Sequence, residues 1–148
     1  MSIPVKIKKV RENAIIPKYA TSGSAACDLC YCGESDLVIP AGKTVAVPTG
    51  IAISFGRSDV VALLYARSGI AIKMGIAPAN CVGVIDSDYR GEILAGLHNH
   101  SDKDYTVTPG DRVAQLMFAP VYTADFEEAE SLDETERNEG GFGSTGKK

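Results

Sequence analysis

The sequence predicts an all-β fold, a sandwich or barrel built from short strands. Apolar or alternating runs recur along most of the chain, and clusters of turn-forming residues separate them. Fifteen glycines and seven prolines agree with a fold in which turns are frequent. The middle of the chain offers one helix candidate, the short segment Ser68–Met74.

The apolar runs set the predicted strands. In chain order these are Val5–Val10, Leu37–Ile39, Thr44–Val47, Ile51–Phe55, Val60–Tyr65, Val82–Ile85, Ile93–His98 and Val113–Tyr122. The segment Cys27–Cys32 also alternates in the manner of a strand. The turns between strands include Pro40-Ala41-Gly42, Pro48-Thr49-Gly50, Asp88-Tyr89-Arg90-Gly91 and Pro109-Gly110-Asp111.

Composition divides the chain near residue 125. Its 148 residues are the length of one domain, which can remove about 70% of its unfolded surface from water. We expect a β-rich core over residues 1–124. Residues 125–148 form an acidic linker, with eight acidic residues from Asp125 to Glu139, followed by a glycine-rich end. This segment has too few apolar residues to offset the entropy of ordering, so we expect it to be flexible in the empty protein. Composition alone favours a solvated end without function.

Charge and hydropathy limit the partners. The net charge of −4 argues against wholesale nucleic-acid binding, which needs a basic face. No apolar run approaches the roughly 20 residues of a membrane-spanning helix. The first residues lack the apolar centre of a secretory signal. We therefore expect a soluble, intracellular protein of the cytoplasm.

The cysteines allow two interpretations. The chain contains Cys27, Cys30, Cys32 and Cys81. Cys27 and Cys30 form a Cys-x-x-Cys, which occurs in redox pairs and zinc sites. Strand alternation would point these two side chains to opposite faces, so we expect buried, reduced thiols. A metal or redox protein that uses Cys27, Cys30, His98 and His100 is the alternative.

The segment Arg67-Ser68-Gly69 lies where a predicted strand ends and the predicted helix begins. Helix starts present unpaired N–H groups that attract phosphate, and an arginine adds donors suited to phosphate oxygens. The Ser68 hydroxyl could cap the helix or contact a ligand. The pattern indicates either a phosphate-binding turn or a plain capped turn.

Residues 80–92 frame a polar turn with apolar residues on both sides, which predicts a β-hairpin whose tip carries Asp86, Asp88 and Tyr89. Asp86 directly follows an apolar run, so we expect it at a partly dry strand end, where a carboxylate could take a proton from water. Asp88 and Arg90 are typical turn formers. The two aspartates could instead hold a divalent cation.

Two further polar positions, Gln115 and Arg137, differ in character from the residues around them. Gln115 lies within the apolar run that follows Pro109-Gly110-Asp111, and a buried amide needs a hydrogen-bonding partner or faces a site. Arg137 precedes the glycines of the tail, which would let backbone N–H groups approach an anion. Phe142 is the aromatic residue there and could stack on a base.

Together, and in this order, these segments resemble the five motifs of the trimeric dUTP pyrophosphatase (dUTPase) family. The resemblance covers about Ala25 to Gly146. The motifs are Ala25-Ala26-Cys27-Asp28-Leu29, Ala66-Arg67-Ser68-Gly69, Gly83 to Gly91, Gly110 to Leu116, and Arg137 with Gly140 to Gly146. The chain departs from the family's usual glycine at Ala26, aromatic at Cys27, proline at Ala66 and glycine at Asn138. These changes concern scaffold and loop stiffness rather than ligand positions.

The resemblance implies a jelly-roll-like β subunit (a β-clip) closed into a homotrimer, with a flexible C-terminal tail that acts as a lid. It implies an Mg²⁺-dependent enzyme that converts dUTP to dUMP and pyrophosphate. Each active site would combine three chains. One supplies the phosphate-binding residues, a second the hairpin and the third its tail.

The resemblance also implies a role for each site residue. Asp86 would be the base that activates water, and Asp28 would reach Mg²⁺ through water. The phosphates would be bound by Arg67, Ser68, Gly69, Gln115, Arg137 and Ser144. The uracil and deoxyribose would contact Asn80, Gly83, Ile85, Tyr89 and Phe142. The alternatives are a dCTP deaminase of the same superfamily and a non-catalytic nucleotide-binding module.

Overall fold

A computed structural model describes residues 2–141 of the chain, and within them lie eleven strands and one helix. The strands are β1 (Lys6–Lys9), β2 (Cys27–Cys30), β3 (Leu37–Ile39), β4 (Thr44–Pro48), β5 (Ile51–Ser54), β6 (Val60–Tyr65), β7 (Ile76–Pro78), β8 (Gly83–Ile85), β9 (Leu94–Asn99), β10 (Tyr105–Val107) and β11 (Arg112–Pro120). The helix α1 is Ser68–Met74. The predicted all-β fold is confirmed.

The strands form antiparallel sheets around one core. The largest sheet has the strand order β2-β11-β6-β8, and a second has the order β4-β9-β7. Two pairs, β1-β5 and β10-β3, complete the described sheets. Buried side chains from the two larger sheets, such as Leu29, Leu116, Val47 and Leu97, belong to one hydrophobic cluster. The subunit is therefore jelly-roll-like, with its sheets packed over a shared core.

The helix has the predicted bounds, and its ends explain them. Arg67 precedes it with an extended backbone. Gly75 follows it in the left-handed conformation, with φ of 70°, and donates its N–H to the carbonyl of Ala71 at 3.1 Å. Glycine adopts this conformation without steric cost, which makes it a common helix end. None of the helix residues is buried, so the helix lies on the surface of this chain.

The eight predicted strands are present with ends that differ by two residues or fewer, and Cys27–Cys30 is a strand as its alternation indicated. The sequence analysis missed β7 and β10. Each has three residues, and β7 ends at a proline, so neither shows enough alternation to be recognised.

The predicted hairpin over residues 80–92 is wrong. β8 pairs with β6 in the four-stranded sheet, whereas β9 pairs with β4 and β7 in the other sheet. Residues 86–93, here called the 86–93 loop, therefore connect two sheets. Apolar residues flank this loop because β8 and β9 both enter the core, each as part of a different sheet. An apolar pattern of this kind looks the same whether the two strands pair with each other or belong to separate sheets.

The cysteines of β2 lie on opposite faces, as predicted. Cys27 and Cys32 are buried and Cys30 is half-buried, but Cys81 is exposed, so the expectation of buried thiols is wrong for Cys81. Burial raises the pKa of the Cys27, Cys30 and Cys32 thiols above its ordinary value. Thiols of this kind stay protonated and are poor nucleophiles. In the described residues, no helix is long and apolar enough to cross a membrane.

Candidate active site

Asp28, Arg67, Arg112 and Gln115 lie together at one end of the four-stranded sheet, and we call them the Asp28 cluster. Arg67 Nε donates to Asp28 Oδ1 at 2.7 Å, and Arg112 Nη1 donates to Asp28 Oδ2 at 3.2 Å. One carboxylate thus orients two guanidinium groups, which form a site suited to an anion.

Strand pairing explains how Asp28 and Gln115 share a face. They are direct partners between β2 and β11, so their side chains project from the same side of the sheet. Gln115 Nε2 donates to the carbonyl of Ala66 at 2.7 Å, immediately before Arg67. The Gln115 amide therefore bonds to the backbone that leads into the turn predicted to bind phosphate.

A β-bulge brings Arg112 into the cluster. Arg112 pairs with Cys30 and Ala114 with Leu29, so β11 advances by two residues where β2 advances by one. Without this shift Arg112 and Gln115, three residues apart, would face opposite sides of the sheet. With it, both face the side that carries Asp28. The sequence analysis did not assign Arg112 to the site, because the extra residue of a bulge leaves no mark in the apolar pattern.

The cluster borders an open cavity of about 510 Å³. Asp28, Tyr65 and Gln115 form one wall, and Lys18, Ser24 and Ala25 from the loop before β2 form another. Ser68 and Gly69 are exposed at the start of α1. Arg67 makes no side-chain cap with the helix. The predicted phosphate-binding residues of motifs two and four therefore lie on one surface.

The second group of predicted residues surrounds a smaller cavity of about 240 Å³ at β8. Its lining includes Asn80, Gly83, Ile85, Asp86 and Tyr89. β8 is the last strand of its sheet, so one edge of its backbone has no strand partner among residues 2–141. A flat ligand in this cavity would meet unpaired N–H and C=O groups.

Gly83 lies close to β6 beside this cavity. A Cβ atom on Gly83 would lie 3.1 Å from Cβ of Leu64 on β6 and 3.5 Å from Nδ2 of Asn80. The first contact is tighter than ordinary packing, whereas the second is an ordinary van der Waals distance. Close approach of Leu64 therefore favours glycine at this position.

Tyr89 folds back over its own loop. Its hydroxyl donates to the carbonyl of Glu92 at 3.0 Å, and a Cβ atom on Gly91 would overlap the phenol, whose Cε2 would lie 3.0 Å away. The residue is 46% exposed. One face of the ring is therefore held against the loop while the other remains open beside the cavity.

Asp86 differs from the sequence-based expectation. It lies at the end of β8 and its carbonyl accepts the N–H of Tyr89 at 3.2 Å, which closes a turn. Within this chain Asp86 is exposed rather than partly dry. Asp86 follows Ile85, the last paired residue of β8, and lines the cavity. Among the described residues of this subunit, no helix or strand covers its side chain.

The two residue groups are separated along β6. Ile85 pairs with Ala62, and Asp86 follows it away from the helix, whereas Arg67 lies five extended residues beyond Ala62 in the opposite direction. At ~3.3 Å per residue, Asp86 and Arg67 of one chain are roughly 15–20 Å apart. A separation of this size does not favour action on the same phosphorus atom within one subunit.

Residues 121–139 are exposed, and Gly140 and Gly141, the last described residues of the tail, are half-buried. Arg137 Nε donates to the carbonyl of Gly140 at 2.7 Å, and the N–H of Gly140 donates to the carbonyl of Arg137 at 2.9 Å, which forms a local turn. Asn138, where the family usually has glycine, has a positive φ of 42° that asparagine tolerates better than most residues. The predicted site residues Phe142 and Ser144 lie outside the described residues.

The donor set is consistent with an ion carried by a ligand rather than by a protein cage. No group of three His, Cys, Asp or Glu residues suited to a metal occurs within residues 2–141. Both oxygens of Asp28 already accept hydrogen bonds from arginines, but each keeps acceptor capacity for a water molecule. Such an arrangement fits Mg²⁺, which keeps much of its hydration and is often held by phosphates with one or two carboxylates.

A β-rich subunit with two arginines oriented by one carboxylate and an open strand edge beside a cavity is of a class suited to bind a nucleotide. Residues 12–146 match the family model described as dUTPase. The chain belongs to the dUTPase family.

Known relatives agree over nearly the whole chain. The chain is 50% identical to the deoxyuridine 5'-triphosphate nucleotidohydrolase of Desulfitobacterium hafniense, an alignment of 147 residues that covers 98% of this chain and 97% of the relative. It is 44% identical to the protein of the same name from Syntrophotalea carbinolica, with 98% of each covered.

A solved structure has the same fold. A mutant dUTPase of Staphylococcus bacteriophage 80alpha with dUpNHpp matches with a TM-score of 0.88, 23% identity and coverage of 98% of this chain and 99% of that one. At that identity the likeness shows the fold alone. The jelly-roll-like architecture expected from the resemblance is thereby confirmed.

Proposed function

We propose that this chain hydrolyses dUTP to dUMP and pyrophosphate. The observation that carries the proposal is the open edge of β8 beside a cavity lined by Asn80, Gly83 and Tyr89, in a chain of the dUTPase family. At about 240 Å³ the cavity is smaller than the ~300–1,000 Å³ of typical ligand pockets, so it suits the base and sugar while the phosphates extend beyond it.

Uracil would be read by main-chain groups. The unpaired N–H and C=O groups of β8, with Gly83 and Ile85 nearest the cavity, would pair with the edge of the base, and the Asn80 amide would add a contact. Cytosine reverses the donor and acceptor at position 4, which would leave buried groups unpaired at about 1–3 kcal/mol each. The close fit would exclude the methyl group of thymine by overlap.

Deoxyribose would rest on the open face of Tyr89. The ring is held from behind by its hydrogen bond to Glu92 and by Gly91, so it presents a fixed surface. A 2'-hydroxyl on the sugar would clash with that surface. Tyr89 would therefore separate dUTP from UTP.

The phosphates would lie along Arg67, Ser68, Gly69 and Gln115, with Arg137 and Ser144 added by a tail. Asp86 would orient and deprotonate the water that attacks the α-phosphorus in line, and pyrophosphate would leave. The arginines of the Asp28 cluster would offset the charge that develops on the leaving group.

The separation of Asp86 and Arg67 supports a shared site. Because roughly 15–20 Å of β6 lies between them in one chain, a nucleotide that meets both must bridge two subunits. A closed homotrimer would provide three equivalent sites of this kind. Light scattering should give the mass of three 15.6 kDa chains. A fully active monomer would contradict this arrangement.

Mg²⁺ would be held by the phosphate oxygens, with Asp28 in contact through water. Bound there, it would neutralise phosphate charge and help to hold the triphosphate in one conformation. A solved mutant dUTPase from phage phi11 of S. aureus, 20% identical to this chain, coordinates a structural Mg(II) ion.

The chain would function as a core, residues 1–124, and a lid, residues 125–148. The lid would close over a neighbouring site and place Phe142 over the uracil. Glycines permit such closure and make it costly in conformational entropy, so closure would need the full triphosphate. We place the enzyme in the cytoplasm, where it would keep uracil out of DNA and supply dUMP.

The direct test is hydrolysis of dUTP, UTP, dCTP and dTTP by the purified protein, with and without Mg²⁺. We expect dUMP and pyrophosphate from dUTP, little turnover of the others, and loss of turnover when Mg²⁺ is chelated. Ammonia released from dCTP would instead identify a deaminase. Binding of dUTP without hydrolysis would identify a non-catalytic module.

A further inference from the structure

An ion pair outside the five motifs contacts the 86–93 loop. Arg11 Nε and Nη2 donate to the two carboxylate oxygens of Glu92 at 2.7 and 3.0 Å. The N–H of Gly50 donates to the same carboxylate at 2.8 Å. The Glu92 side chain is only 19% exposed, so three donors fix a largely covered carboxylate.

The same loop end is held through its backbone. The Thr49 hydroxyl donates to the carbonyl of Ile93 at 2.6 Å, and the N–H of Ile93 donates to the carbonyl of Ile51 at 2.9 Å. Thr49 is itself buried. Residues 49–51, which lead from β4 into β5, therefore form hydrogen bonds with both Glu92 and Ile93.

Tyr89 depends on this peptide unit for its position. Its hydroxyl donates to the carbonyl of Glu92, so a shift of the Glu92 backbone would move this acceptor. The phenol also packs on Gly91, next to Glu92. A path of direct contacts thus runs from Arg11 through Glu92 to the ring beside the cavity.

We propose that Arg11 and Glu92 are positioning residues that set the placement of the Tyr89 ring, and so the discrimination between a deoxyribose and a ribose. The inference rests on the proposed function, in which Tyr89 meets the sugar. Arg11 lies immediately before the segment that matches the dUTPase family model, residues 12–146. It joins the end of β1 to the loop across 81 positions of the sequence.

An unrelated ion pair of this chain provides a matched control. Arg57 also contacts a carboxylate with two nitrogens, that of Asp59, and its side chain has the same exposure as that of Arg11, 45%. Arg57 and Asp59 are two residues apart in the turn between β5 and β6 and do not line the cavity at β8. Arg57→Ala removes an arginine–carboxylate pair without affecting the loop.

The test compares kcat/KM for dUTP and for UTP in wild type, Arg11→Ala, Glu92→Gln and Arg57→Ala. We expect Arg11→Ala and Glu92→Gln to lower the dUTP:UTP ratio on the order of tenfold, since a charge-assisted contact is lost. The change should come mainly from a higher kcat/KM for UTP, because a displaced ring no longer clashes with the 2'-hydroxyl. Arg57→Ala should keep the wild-type ratio. Arg11→Lys keeps the charge but cannot form the bidentate contact with Glu92, so it should give an intermediate ratio. It replaces Arg11→Ala in the comparison if that variant does not fold.

A second comparison separates positioning from general stability. Tyr89→Phe keeps the ring but removes its hydrogen bond to Glu92. If Arg11 acts through that contact, Arg11→Ala should change the ratio less in the Tyr89→Phe background than in wild type. A wild-type ratio in Arg11→Ala, or fully additive effects with Tyr89→Phe, would overturn the inference while dUTP hydrolysis by the wild type stands. A wild type that does not hydrolyse dUTP would overturn the proposed function and this inference with it.

Discussion

Asp28 and Arg67 are joined by a hydrogen bond of 2.7 Å between Oδ1 and Nε, and both side chains are mostly covered. Asp28 lies on β2 and Arg67 follows β6, so the contact spans two strands that both pair with β11. Asp28, which the family resemblance assigned to a metal, is therefore the hydrogen-bond partner of Arg67, the arginine proposed to bind phosphate.

Asp28→Asn should release Arg67 from its fixed orientation. We expect kcat/KM for dUTP to fall on the order of tenfold, because a hydrogen bond between charged groups is lost. Steady-state kinetics at several Mg²⁺ concentrations measure this. Asp59→Asn, which also removes an arginine's carboxylate partner, is the control and should leave kcat/KM unchanged. If the Mg²⁺ dependence of Asp28→Asn equals that of wild type, Asp28 does not contact the ion, and its role is to orient the two arginines.

Asp86→Asn keeps the shape of the side chain at the mouth of the cavity but removes the base. Turnover should fall by at least ~10²-fold while binding of dUMP changes far less. Single-turnover kinetics and calorimetric titration of dUMP separate the two quantities. Asp88→Asn, two positions along the same loop, should retain most of the turnover. Near wild-type turnover in Asp86→Asn would disprove its assignment as the base.

Much of the fold and of the site was predictable because it depends on local pattern. Val60–Tyr65 is a continuous apolar run and Ser68–Met74 is bounded by Arg67 and Gly75, so both elements were identified with their observed ends. The motif residues around Asp28, Arg67 and Gln115 were identified by resemblance, and strand pairing brings them together.

The features that the sequence did not indicate depend on contacts between distant residues. The partner of β8 is β6 rather than β9, and apolar residues suit either pairing. The bulge between Arg112 and Ala114 changes which face Arg112 occupies without a signature residue. The Arg11–Glu92 pair joins positions 81 residues apart, which single-sequence reasoning has no means to pair.

Low pH should weaken the anchoring of the 86–93 loop. The hydrogen bond from Arg11 lowers the pKa of Glu92 below its ordinary value, with smaller help from the Gly50 N–H, against the opposing effect of burial. A carboxyl with a depressed folded-state pKa stabilises the protein above its unfolded pKa of ~4.3 and loses that contribution as the pH falls through the folded value. Glu92→Gln removes the titrating group.

The thermal midpoints of wild type and Glu92→Gln, measured between pH ~3 and ~8, test this linkage. We expect the wild type to be the more stable at neutral pH and the difference to narrow below pH ~4.3. A difference that stays constant over the whole range would show that the charge of Glu92 does not contribute.

Ending the chain after Glu136 should separate folding from turnover. Residues 121–139 are exposed and form no strand, so loss of the chain beyond Glu136 should leave the thermal midpoint close to the wild-type value. Turnover should fall by at least ~10²-fold if the tail fixes the phosphates, whereas dUMP, which lacks the outer phosphates, should bind as before. Phe142→Ala should give a milder loss. A truncated protein with the full-length rate would reduce the tail to a solvated end.

The most direct test of the shared site mixes two inactive variants. Arg67→Ala disables the Asp28 cluster and Asp86→Asn disables the loop, and each alone should have little turnover. Co-expressed in equal amounts as mixed trimers, they should recover about one quarter of the wild-type turnover, since half of the clusters and half of the loops remain intact. Arg67→Ala mixed with Gln115→Ala is the control, because both changes lie in one cluster, and it should recover none. Turnover by the first mixture and not by the second is the result we expect. No recovery in verified mixed trimers of Arg67→Ala and Asp86→Asn would contradict an active site built from neighbouring chains.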